Sequence, residues 1–173
     1  MKEIRLHGAK AAGRVALVDD EDYDLVMAYR WRVWEVDRGR RRLDGPYAVA
    51  HARRAGRPTG VRMHQLITGW SRTDHRNGDG LDNRRGNLRP ATNAQNQHNQ
   101  RPQLGGSSAY KGVYRQRGKW RAQISVDDRR RYLGVFADEV DAARAYDEAA
   151  RALFGEFARV NFPAGPPEPL TLF

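Results

Sequence analysis

From Lys119 to Val126 polar and apolar residues alternate without a break: Trp120, Ala122, Ile124 and Val126 fall between Lys119, Arg121, Gln123 and Ser125. Side chains at that period point to opposite faces of an extended backbone, so the segment predicts a strand with one buried face and one basic, polar face. Tyr110 to Arg115 and Arg130 to Phe136 predict its neighbours. Asp138 then supplies a helix N-cap, with Asp141 three residues on, ahead of an alanine-rich helix that Gly155 ends. The apolar stripe of that helix is Ala142, Ala145, Tyr146, Ala149 and Leu153, and its small side chains allow a close approach to a sheet. Residues 109–163 therefore read as a three-stranded antiparallel sheet packed on one helix.

Charge divides across this unit. Residues 101–136 carry 9 basic and 2 acidic side chains, +7, whereas residues 137–173 carry 3 basic and 7 acidic, −4. The sheet is thus the cationic surface and the helix an anionic backing, so any polyanion meets the sheet. The whole chain of 173 residues has 31 Lys plus Arg against 21 Asp plus Glu, a net +10 that favours nucleic acid as partner. The 27 Arg against 4 Lys carry less meaning, because genomic base composition alone produces that bias.

Absent cysteines exclude disulfides, thiol catalysis and cysteine-ligated metals. No apolar run approaches the roughly 18 residues that span a membrane, and Met1 to Arg5 do not lead into a signal-peptide core, so no membrane partner is expected.

The residues of the C-terminal unit resemble a known family. Tyr110-Lys111-Gly112-Val113-Tyr114, Gly118-Lys119-Trp120-Arg121-Ala122-Gln123-Ile124, Tyr132-Leu133-Gly134-Val135-Phe136, Ala142-Ala143-Arg144-Ala145-Tyr146-Asp147 and Asn161-Phe162 are similar to the DNA-binding domain of the plant APETALA and ethylene-response-factor regulators. That resemblance implies a sheet lying in the major groove with its helix behind. It implies a groove-facing set of Lys111, Tyr114, Arg115, Arg117, Lys119, Arg121, Gln123 and Tyr132. Tyr132 stands where the plant proteins usually have Trp, and Gln123 and Ser125 where they often have Glu and Arg, so their sequence preference does not transfer.

The N-terminal part is organised differently. Residues 1–60 read as short strands (Arg14 to Val18, Trp31 to Val36, Tyr47 to His51) around a short helix that follows five acids between Asp19 and Asp24. Those acids read as a solvated helix N-terminus rather than a metal site, since no other ligand set lies nearby. Residues 61–100 hold the apolar strand candidate Met63-His64-Gln65-Leu66-Ile67, then Asp74-His75, a glycine-rich loop, Asn87-Leu88-Arg89 and an Asn-rich helix capped by Thr92. His64 reads as a hydrogen-bonded structural histidine. A Ca²⁺ loop begun at Asp74 fails, because Arg76, Gly78 and Arg85 occupy ligand positions. Residues 101–108 read as a linker and 164–173 as a tail.

The central segment resembles the HNH homing endonucleases of the ββα-metal fold, found in phages, introns and prophages. By that resemblance His75 is the general base, Asn87 braces the loop and orients His75, and Asp74 and Asn96 hold Mg²⁺ or Mn²⁺. Asn99 is the alternative helix ligand to Asn96. Neighbours on one strand face opposite ways, so a distortion at Asp74-His75 is expected if both serve one site. The fold class expected is α+β: a strand-rich N-terminal lead-in, a central ββα-metal HNH module (61–100), and the C-terminal sheet on one helix (109–163). The function expected is a metal-dependent DNA endonuclease, nicking or cutting both strands, whose C-terminal sheet binds the target. The partner is double-stranded DNA, with no small-molecule cofactor, for a monomer or DNA-induced dimer in the cytoplasm of a bacterial or phage-infected cell. The alternative is a DNA-binding transcription regulator with an inactive HNH module; RNA binding is weaker, since no aromatic stacking platform is evident.

Overall fold

A computed structural model of the chain describes residues 1–37, 43–54, 57–100, 106–127 and 129–163. The tail expected at 164–173 and most of the linker expected at 101–108 lie outside these residues. The fold is α+β with small antiparallel sheets, in two compact units, Met1–Asn99 and Gln100–Phe173. No described helix is long and apolar enough to cross a membrane.

In the first unit β1 (Lys2–Arg5) pairs with β2 (Val15–Val18). A 3-10 turn and α1 (Tyr23–Met27) follow, then the sheet β3 (Arg32–Asp37), β4 (Leu43–Arg54) and β5 (Arg57–Arg62). Next come α2 (Met63–Thr68), the pair β6 (Thr73–His75) and β7 (Leu88–Pro90), and α3 (Asn93–His98). One core serves the whole unit: Ile4, Val18, Val26 and Trp31 pack with Met63, Ile67, Leu81 and Leu88. The lead-in and the central segment thus bury their apolar residues against each other.

Two local expectations change. Met63 to Ile67 form a helix rather than a strand, burying Met63, His64 and Ile67 and ending at the left-handed Gly69 (φ 72°). The burial of residues one and four apart is the helical period, which a five-residue apolar run leaves undecided. The acidic segment is not a free solvated cap either. Arg85 donates from Nε to Asp22 Oδ2 at 2.9 Å and from Nη2 to Asp22 Oδ1 at 2.7 Å, and its backbone N–H reaches Asp19 Oδ2 at 2.7 Å. Asp22 is 2% exposed, so this pair ties the loop before β7 to the start of α1.

The second unit is the sheet β8 (Val113–Gln116), β9 (Lys119–Val126) and β10 (Arg129–Phe136), with β9 in the middle, backed by α4 (Glu139–Phe154). Asp138 caps α4 by accepting from the Val140 and Asp141 amides. The helix buries Ala142, Ala143, Tyr146, Asp147 and Ala150, while Leu153 of the expected stripe stays exposed. The packed face is rotated because Asp147, a carboxylate, is needed inside.

Candidate nucleic-acid interface

Register decides which residues share the face of the second sheet turned from α4. Tyr114 lies across from Arg121 and Gln116 from Lys119, while Gln123 lies across from Tyr132 and Ser125 from Arg130. A bulge between Tyr132 and Gly134 brings Val135 opposite Arg121. Tyr114 and Tyr132 are 46% and 60% exposed, an aromatic surface a monomer gains nothing by displaying. The Arg121 guanidinium lies 5.4 Å from the Tyr132 ring centroid, and its Nε is buried without a hydrogen-bond partner among the described residues. Stacking on the ring orders this cation before any partner arrives. Gln116, Ser125 and Arg130 join the face and were missed; the alternation of β9 already carried Ser125, but the other two need the register.

Three expected contacts sit elsewhere. Arg115 pairs across from Trp120, with its guanidinium 5.7 Å from that ring, so alternation turns it to the other side of the sheet, where it is exposed. Arg117 (φ 47°) and Gly118 (φ 78°) form the tight turn between β8 and β9, a backbone that suits the twist of a two-residue hairpin. Lys111 is held inward. Its Nζ donates to the Gln100 carbonyl at 2.7 Å, and burial pulls its pKa down to about 8. Asn161 accepts from Lys111 N–H at 2.6 Å and donates Nδ2 to the Lys111 carbonyl at 3.2 Å. Buried Asp147 collects the Asn161 and Phe162 amides at 2.7 and 2.8 Å, closing the end of the unit onto the start of β8.

In the first unit β6 and β7 pair without a bulge, Asp74 opposite Arg89 and His75 opposite Leu88. The expected distortion is absent among these residues, and the two side chains engage different sets. Asp74 Oδ2 accepts from Arg89 Nη2 at 2.6 Å and Nε at 2.8 Å. Asn99 Nδ2 lies 3.1 Å from each Asp74 oxygen and 2.8 Å from the His75 carbonyl. The His75 ring instead meets His64 edge-on, centroids 5.0 Å apart, with Tyr47 at 5.9 Å and Asn83 Oδ1 3.4 Å from Nε2. Asn87 braces the glycine-rich loop: its Oδ1 accepts from Asn77 N–H at 3.0 Å and its Nδ2 donates to the Asp82 carbonyl at 2.7 Å. Asn96 Oδ1 is buried with no hydrogen-bond partner among the described residues.

This set does not fit Mg²⁺ or Mn²⁺. Asn96 offers an open acceptor, but the only carboxylate of the set already faces a fixed guanidinium, 4% exposed, that neutralises it and repels a second cation. Among the described residues no group of three or more His, Cys, Asp or Glu gathers as a metal-binding cluster.

Burial keeps both histidines neutral. His64, 5% exposed and with Nδ1 unpartnered among the described residues, has its pKa pulled down to about 3 by burial and then by His75; burial lowers His75 too. An imidazole whose folded pKa lies below its unfolded value stabilises fully above pH 6.5 and loses that stability as pH falls. Lowering pH from 7.5 to 5 is therefore expected to cost the first unit about 2 kcal/mol through His64 alone. Urea titrations across that range check this, and His64→Gln should flatten the slope.

No family model matches the chain. Curated relatives match about a third of it. Dehydration-responsive element-binding protein 2A of Oryza sativa subsp. indica is 57% identical over 58 residues, covering 31% of this chain and 21% of the rice protein. Its namesake in Arabidopsis thaliana is 51% identical over 59 residues, covering 32% and 17%. An AP2/ERF and B3 domain-containing protein of Oryza sativa subsp. japonica is 53% identical over 58 residues, covering 33% and 16%. The chain spans about a sixth to a fifth of these relatives' length. They correct the endonuclease expectation, with its hydrolase chemistry: two of these relatives are named as element-binding proteins and the third for its AP2/ERF and B3 domains, and none is named as a nuclease. They also correct the bacterial or phage-infected cytoplasm, since these relatives are plant proteins. A stretch of about 58 residues is similar to AP2/ERF-type DNA-binding proteins.

Proposed function

We propose that the chain is a sequence-selective DNA-binding regulator that reads duplex DNA with the outer face of β8–β10, and that its first unit is a non-cleaving module. The Arg121–Tyr132 contact on that face carries the reading, because arginine is the commonest side chain at guanine O6 and N7 in the major groove and this one is already ordered by the ring. Tyr114, Lys119, Gln123 and Tyr132 share the face and complete the reading set. Arg117 in the turn supplies a phosphate contact. Similarity to the plant element-binding proteins supports the same assignment. Their setting points to chromosomal DNA as the target, bound by a monomer or by a dimer that forms on the DNA.

Selection of binding sites from random duplexes, followed by titration at two salt concentrations, tests this. Arg121→Ala is expected to weaken the selected site by about 1–3 kcal/mol and relax preference at one base pair. Arg117→Ala should weaken all sequences alike and reduce the salt slope by about 1. A protein that selects no sequence, or an Arg121→Ala variant that selects the same one equally well, would sink the proposal.

A further inference from the structure

We propose that Val135 makes the Arg121 contact methyl-sensitive: the outer face of β8–β10 selects a guanine whose neighbouring base pair carries the C5-methyl group of a pyrimidine. This rests on the reading of DNA by that face and names a chemical group that the face takes. The bulge between Tyr132 and Gly134 sets Val135 across from Arg121, which on its other side lies across from Tyr114. Tyr114, Arg121 and Val135 thus form one row across the three strands, with directly opposed Cβ atoms about 5 Å apart. The Tyr132 ring, its centroid 5.4 Å from the guanidinium, closes an apolar collar around this one cation. The bulge is what re-aims Val135. Regular alternation from the outward Tyr132 would turn Val135 toward the helix and Phe136 away from it. Instead Phe136 packs on the core and Val135 is 39% exposed, with Gly134 at φ 138° supplying the backbone that the shift needs.

Val135 has neither donor nor acceptor. Against a base edge it would strip water from the amino, carbonyl and ring-nitrogen groups of the major-groove floor and return no hydrogen bond. The one group there that gains from its contact is the C5-methyl. Spacing agrees: strands stand about 4.8 Å apart and successive bases about 3.4 Å, so a residue one strand over from a guanine-reading arginine meets the next base pair. Thymine and 5-methylcytosine both present this methyl.

The test uses the duplex that the full chain selects. In each base pair adjoining a selected guanine, thymine is exchanged for uracil or cytosine for 5-methylcytosine, which removes or adds one methyl and leaves pairing intact. Affinity is expected to favour the methyl about fourfold at one such position, the worth of one buried methyl group. The exchange that shows the gain tells which of the two pyrimidines supplies the group. Val135→Ala, with its urea midpoint as the check on folding, should reduce the preference to below about twofold. Equal affinity with and without the methyl at every such position would overturn the inference and leave the DNA reading standing, as would a preference that Val135→Ala keeps in full. A chain that selects no sequence overturns both. Should Val135→Ala not fold, the exchanges on the wild-type chain decide, and Val135→Thr, which keeps the branched shape and trades a methyl for a hydroxyl, should weaken the preference.

Discussion

Gly112→Ala is expected to destabilise the second unit by about 2–4 kcal/mol and to weaken DNA binding. Gly112 sits at φ +76°, and a Cβ built there overlaps the Tyr146 ring and crowds the Gln123 carbonyl. The backbone alone costs an alanine about 1 kcal/mol in that conformation. The overlap adds about 1–3 kcal/mol, because Tyr146 is 4% exposed and its ring has nowhere to swing. Much of the unit's core is alanine (Ala122, Ala142, Ala143, Ala150), so little stability is held in reserve. Gly118→Ala is the control. Gly118 has the same sign of φ but open space around its Cβ, so only the backbone cost remains. Urea unfolding followed by circular dichroism should separate the two variants by at least about 1 kcal/mol, with the glycine under Tyr146 the worse. Equal stability of both would show that the helix does not seat on β8 as described.

The second unit was legible in the sequence because each of its elements signals itself locally. The alternation from Trp120 to Val126 announces a half-buried strand, and Asp138 and Gly155 bracket the helix as caps. Thr92 likewise announces α3, where its side chain and that of Gln95 form a capping box. What stayed hidden depends on partners far along the chain. Asp22 and Arg85 are separated by 63 residues, and nothing local distinguishes a buried acid from its solvated neighbours. The stripe on α4 was drawn from hydropathy, which places Leu153 inward; the Asn161–Phe162 segment needs Asp147 there to receive two amides, and the helix turns accordingly. Lys111 read as a groove contact because its type suits DNA, yet its amine is engaged by Gln100 and its backbone by Asn161. At Asp74-His75 the residue types suggested one catalytic pair. Regular pairing of β6 and β7 instead sends one side chain to Arg89 and the other to His64, Tyr47 and Asn83. A motif specifies neighbours in sequence, and a strand then separates them.

Asp74→Ala is expected to destabilise the first unit by about 3–5 kcal/mol, because it strands a buried guanidinium without its counter-charge. Replacing both partners by apolar residues, Asp74→Leu with Arg89→Met, should return most of that loss, since a buried ion pair is often no more stabilising than hydrocarbon of similar volume. The coupling measured by the double-mutant cycle should then reach about 2 kcal/mol or more, against a few tenths for independent sites. The milder Asp74→Asn separates the two roles this carboxylate has been given. A metal ligand without its metal is a source of strain, so neutralising it in EDTA leaves stability unchanged or raises it. The counter-ion of Arg89 has the opposite sign: Asp74→Asn lowers the urea midpoint, and added Mn²⁺ changes neither protein. The direction of that one shift, read in EDTA, decides whether Asp74 waits for an ion or has been answered by Arg89 all along.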